Sequence, residues 1–116
     1  MKLPQSPSGC PLDALLRTIS GPWTIYILYR LHQNGPARFG QLKRQLGRIS
    51  SKMLTERLRN LEKAEIIYRE YRPTIPPQVT YGLTKEGEEL NTVLDQLNAL
   101  AQKWQHNSLY PKAESW

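Results

Sequence analysis

Cysteine is nearly absent. Cys10 is the single one in 116 residues, which excludes an intramolecular disulfide and fits a reducing compartment. Histidine is almost as scarce: His32 and His106 stand apart, with no HxxxH or CxxC spacing, so no metal site is indicated. No apolar run approaches the ~18 residues needed to cross a bilayer. Met1 to Gly9 is rich in Pro and Ser, lacks an apolar signal core, and reads as a flexible arm rather than a targeting peptide. These absences predict a cytoplasmic chain with no membrane partner. A nucleophile elbow and a phosphate-cradling glycine loop are missing too, and the few carboxylates fall mostly at helical surface positions. With no set of acid, base and nucleophile in view, neither an enzyme nor a cofactor is expected.

What is present is positive charge, and it is unevenly placed. The formal net charge is +6. Residues 1–85 carry fourteen Lys/Arg against five Asp/Glu, whereas residues 86–116 carry two against five. That asymmetry points to a body that binds a polyanion and a separate segment for assembly; a generally solvated basic surface is the plainer alternative. The length suits one domain, 1–116, and a small interior gains from burial shared with a second copy.

The periodicity gives an order of elements. Leu12, Leu15, Leu16 and Ile19 lie at helical spacing after Pro11, predicting a first helix over 11–20. A second, apolar nearly all round with Trp23, Ile25, Ile27, Leu28 and Leu31, spans 23–34 and reads as central and buried. Asn34-Gly35-Pro36 ends it. A short third helix covers 39–47. Ser50 is a good N-cap for a fourth over 50–64, with Leu54, Leu58 and Leu61 on one stripe. The period then shortens: 66–83 reads as two strands joined through Pro73, Pro76 and Pro77. Thr84 is placed to cap a last helix over 85–105, and 106–116 is polar and expected to fray.

A short helix joined through a glycine turn to an amphipathic one is the helix-turn-helix arrangement, and the hairpin after it is a wing. The second helix of such a pair enters the major groove. It needs an apolar face toward the core, a polar face free of bulky apolar groups, and cations near phosphate. Ser50, Ser51, Lys52, Thr55, Glu56 and Arg59 form the reading face, flanked by Arg48 and Arg57; Arg38, Lys43, Arg44, Arg48, Arg69 and Arg72 stand around it for the backbone of double-stranded DNA. The fold class is therefore mainly α with a small β-hairpin, a winged helix-turn-helix. The alternatives are a solvated amphipathic helix in a bundle, or a winged-helix module that binds protein rather than DNA.

The last helix carries Leu90, Val93, Leu94, Leu97, Leu100, Ala101 and Trp104 three and four apart. One small domain does not easily cover such a stripe, and a second copy would. The expected homodimer interface joins these residues to Leu12 and Leu16, so that the N- and C-terminal helices form it. The competing arrangement folds the last helix back onto the first two. A small-molecule or oxidant effector fits this plan, but no residue names one.

The chain resembles the HxlR-type winged helix-turn-helix family of bacterial regulators. The resemblance rests on Cys10-Pro11-Leu12, Gly21-Pro22-Trp23, Arg38-Phe39-Gly40-Gln41-Leu42, the run from Ile49 to Thr55, Leu58-Arg59-Asn60-Leu61-Glu62, the run from Pro76 to Thr84, and Gly87. It covers about residues 10 to 104. It implies a homodimer held by the first and last helices, acting on inverted-repeat operators. It also implies a sensing role for the cysteine, which some members use against oxidants, quinones or aldehydes. Cys10 sits at the expected start of the first helix, whose positive end favours the charged thiolate while Asp13 opposes it; a small packing residue is the alternative. Two departures bear on operator choice. Gly21-Pro22-Trp23 stands where the family often has Gly-Gly-Lys-Trp, and Thr80 stands where it often has Glu.

Overall fold

The computed structural model describes residues 3–106. Its elements run α1 (Pro11–Ile19), α2 (Thr24–Asn34), β1 (Ala37–Arg38), α3 (Phe39–Leu46), α4 (Ser51–Lys63), β2 (Ile67–Arg72), β3 (Gln78–Leu83) and α5 (Lys85–His106). The molecule is mainly helical with a small antiparallel sheet. The expected tail, apart from His106, lies outside the described residues.

The leucine and isoleucine stripes converge. Ile27, Leu28 and Leu31 of α2, Leu42 of α3, Leu54, Leu58 and Leu61 of α4, and Ile66 and Ile67 at the root of β2 are each no more than 2% exposed. They form one core, to which α5 adds Leu90. The expected all-apolar α2 is corrected in two places. Trp23 is not helical; it holds the N-cap position with φ 70°, in the left-handed region, and its ring lies 5.8 Å from that of Tyr26. Ile25 is exposed, and the buried place beside it goes to Thr24. Helical geometry allows one face to the core, so one of the apolar residues had to turn outward.

The sheet has three strands rather than two, in the order β1-β3-β2. β2 and β3 pair from Ile67↔Leu83 to Arg72↔Gln78, and the short β1 adds Ala37↔Tyr81 and Arg38↔Thr80. A two-residue strand has no periodicity to detect. The bridge ties the start of α3 directly to the wing.

Local chemistry fixes the remaining joints. The Ser50 hydroxyl accepts from the backbone N–H of Met53 at 3.0 Å, capping α4. Gly47, with φ 76°, turns the chain between α3 and α4, and the buried Ile49 pins that turn to the core. The Thr84 hydroxyl accepts from the N–H of Gly87 at 3.1 Å, so it caps α5, and donates to the Glu65 carbonyl at 2.7 Å, while the Thr84 backbone N–H donates to the Ile66 carbonyl at 3.1 Å, so the residue also ties α5 to the root of β2. α5 is rooted by Gly87, Leu90, Asn91 and Leu94; after Leu94 its residues are exposed as far as Lys103.

Candidate nucleic-acid interface

The groups expected to meet DNA come from four elements of one continuous stretch. Arg38 ends β1; its backbone N–H donates to the Gln41 carboxamide oxygen at 2.9 Å, fixing the entry to α3. Lys43 and Arg44 occupy the last turn of α3, and Arg48 lies in the turn before α4. On α4, Ser51, Lys52, Glu56 and Arg59 are exposed and Thr55 is half-buried. Two of the expected contacts are already engaged. Ser50 is occupied as the cap, and the Thr55 hydroxyl donates to the Ser51 carbonyl at 2.8 Å. The exposed remainder of the reading face is therefore Ser51, Lys52, Glu56 and Arg59.

On the wing, Ile67 is the buried anchor and every later residue of β2 is exposed, whereas β3 is half-buried along most of its length and packs Tyr81 and Leu83 against the core. Arg69 and Arg72 lie on the exposed β2. Arg72 is not a bare cation: its Nε donates to Glu70 at 2.6 Å. Both partners are substantially exposed, so the pair is open to exchange with another anion. At the root of the wing the Tyr68 ring covers Gly82, its cross-strand partner, so closely that a β-carbon at Gly82 would overlap the phenol. Ile75, at the tip, is fully exposed.

Arg57, expected only to flank the reading face, is instead half-buried on the inner side of α4, with its guanidinium against Gly21. A β-carbon at Gly21 would lie 2.8 Å from its Nη1. Position on the helix does signal this: residues 54, 57, 58 and 61 share the inward face.

Of the apolar residues expected at a subunit seam, Leu12, Leu16, Val93, Leu97 and Leu100 are exposed large hydrophobics, between 39% and 61% accessible. Ala101 is exposed and Trp104 half-buried. Leu90 is 7% exposed and belongs to the domain's own core, with Leu94 packed beside it. The stripe thus divides: Leu90 and Leu94 close the domain, while Val93, Leu97, Leu100 and Ala101 remain open.

Cys10 is an exposed, free thiol at the N-cap of α1. Before it, Ser6 to Gly9 make a turn, closed by the Gly9 N–H donating to the Ser6 carbonyl at 3.0 Å. The hydroxyls of Ser6 and Ser8 reach Asp13, as does the Arg17 guanidinium at 3.0 Å. Hydrogen bonds from Ser6 and then Arg17 hold the Asp13 carboxyl below its usual value. No group of His, Cys, Asp or Glu among the described residues has metal-binding geometry, and no helix among them is long and apolar enough to cross a membrane.

This arrangement has relatives. The profile of the HxlR-like helix-turn-helix family matches residues 18–109. The chain is 37% identical over 97 residues to BH0655, an HTH-type transcriptional regulator of Halalkalibacterium halodurans, covering 84% of this chain and 86% of that one. Its structure is similar to the reduced form of the transcriptional regulator YodB from B. subtilis, with TM-score 0.75 and 34% identity over 82% of this chain and 93% of the other. It is similar also to the redox regulator HypR in its reduced form, with TM-score 0.76 and 30% identity over 87% and 100%. The chain therefore belongs to the HxlR-like helix-turn-helix family and is a transcriptional regulator built on a helix-turn-helix domain.

Proposed function

We propose that the chain binds DNA sequence-specifically as a homodimer on an inverted-repeat operator, in the cytoplasm, with α4 in the major groove and the β2–β3 hairpin as the wing. The observation that carries this is the division of α4. Leu54, Leu58 and Leu61 are each no more than 2% exposed, while Ser51, Lys52, Glu56 and Arg59 face outward. A helix so anchored presents short polar and cationic groups to a groove without exposing apolar bulk. Lys43, Arg44, Arg48 and Arg69 supply phosphate contacts around it, and Arg72 joins them by leaving Glu70.

Dimerisation follows from the open stretch of α5. Val93, Leu97 and Leu100, with Leu12 and Leu16 of α1, leave a set of large apolar side chains in water. A second copy of the same surface covers them through a two-fold axis, matching the symmetry of an inverted repeat.

Cys10 is the redox- or electrophile-responsive group of this reading. It is exposed, at a helix N-terminus, and lies two residues before Leu12 of the proposed seam; regulators of similar structure include one known in reduced and oxidised forms. With a single cysteine in each chain, an oxidant takes two electrons as Cys10 forms a disulfide with Cys10 of a second copy or with a low-molecular-weight thiol.

The test is duplex binding across a salt series, followed by footprinting on the DNA upstream of the gene. Affinity that falls steeply with salt, with a protected two-fold sequence, supports the reading. Salt-independent or absent binding overturns it.

A further inference from the structure

Arg57 is the one charged side chain among three described residues with a buried, unpartnered polar atom, the others being Thr24 and Asn91. It projects from the inner side of α4, its Nε is buried, and that Nε has no hydrogen-bond partner. A buried guanidinium nitrogen without an acceptor is disfavoured, and such groups in native structures are usually met by an anion, a water or a ligand. The Arg57 side chain also lines a cleft of about 450 Å³ between the N-terminal segment, α1 and the rear half of α4, together with Arg17 and Lys63.

The lining defines the occupant. Among the described residues it contains three cationic side chains and no carboxylate. Arg17 is partly neutralised by Asp13, which leaves Arg57 and Lys63 as the uncompensated charges. Asn60 adds a neutral hydrogen-bonding group, and Leu3 and Ala64 give apolar wall. The volume falls in the range of small-molecule sites, about 300–1,000 Å³. An inorganic ion leaves most of it unfilled, whereas an organic acid fills the space with its body and presents two oxygens to a guanidinium fork. The cleft lies along α4 from Arg57 to Lys63, beginning roughly 9 Å beyond the end that faces the groove.

We propose that this cleft binds a small organic carboxylate, with Arg57 and Lys63 receiving its charge. Because the cleft is walled by α4, occupancy biases that helix and DNA binding reciprocally biases the site; this coupling rests on α4 being the groove-reading helix, whereas the binding itself does not.

Titration calorimetry on the full chain without DNA, using benzoate and hexanoate as probes and inorganic phosphate as the comparison, tests it. Saturable binding of one organic acid per chain, stronger than that of phosphate, is expected. Arg57→Gln and the exposed Lys63→Gln should each weaken it by about tenfold or more, and the second change leaves the interior untouched. Absence of saturable binding by either acid, binding that survives both substitutions, or tighter binding of phosphate overturns the assignment. So does a result in which neither acid binds and both variants instead lower the salt dependence of duplex binding, since the cleft would then hold the DNA backbone. Benzoate bound by a chain with no duplex affinity would remove the proposed function and leave the cleft standing.

Discussion

The α-carbon of Gly87 lies directly under the carbonyl of Ile66, so close that a β-carbon at position 87 would overlap the oxygen. That carbonyl also accepts the Thr84 backbone N–H at 3.1 Å. The root of the long helix is therefore set against the backbone of the wing with no room for a side chain. Gly87→Ala should destabilise the fold by about 1–3 kcal/mol, the usual cost of forcing extra volume into a packed contact. Thermal unfolding reads this as a drop of several degrees; an unchanged midpoint would contradict the close approach.

At the start of α4, Ser50→Ala removes the acceptor for the Met53 N–H. A cost of about 1 kcal/mol is expected in denaturant unfolding. The helix should persist, because its leucines remain buried, so duplex affinity should fall by no more than the lost stability and the hydroxyl itself explain.

Arg59 and Arg72 should differ in kind. Arg59→Ala should cost about 1–3 kcal/mol on the preferred site and relax choice at one base position, whereas Arg72→Ala should weaken all sequences alike. Because Arg72 is held by Glu70 at 2.6 Å, Glu70→Gln should strengthen duplex binding at low salt by freeing the cation. Fluorescence anisotropy on matched and shuffled duplexes separates these outcomes.

On the open part of α5, Leu97 is 53% exposed. Leu97→Asp should shift the chain from dimer to monomer in size-exclusion with light scattering while leaving the thermal midpoint of the domain nearly intact, since residue 97 lies outside the core. A monomeric wild type would refute the two-fold reading.

Diamide or a quinone should change operator affinity in the wild type and not in Cys10→Ser. Equal responses would assign Cys10 a packing role.

Much of this molecule was legible in its sequence for a physical reason. The order of elements came from leucine spacing, and the stripe of Leu54, Leu58 and Leu61 is buried as its period requires. Capping chemistry placed Ser50 and Thr84 correctly because those hydrogen bonds are local. What escaped was decided by tertiary contact. β1 is too short to show alternation and exists because Tyr81 and Thr80 offer partners. Ile25 points to solvent because Thr24 takes the inner position. The split of the α5 stripe between Leu90, buried at home, and Leu97, left open, depends on where α2 and β3 end, which a helical repeat does not encode. Arg57 was read as flanking surface because charge outweighed its register.

α5 has a mechanical consequence. Its first turns are packed on the domain, the stretch from Asp95 to Lys103 is exposed, and its 22 residues extend for roughly 33 Å. A tilt of about 5° at the packed end displaces the far end by about 3 Å over that length. In a paired assembly such a lever would convert a small repacking at Asn91 or Leu94 into a changed separation between the two reading heads. Substitutions there, remote from any base, would alter the tolerated spacing of half-sites and leave the preferred letters within each half unchanged.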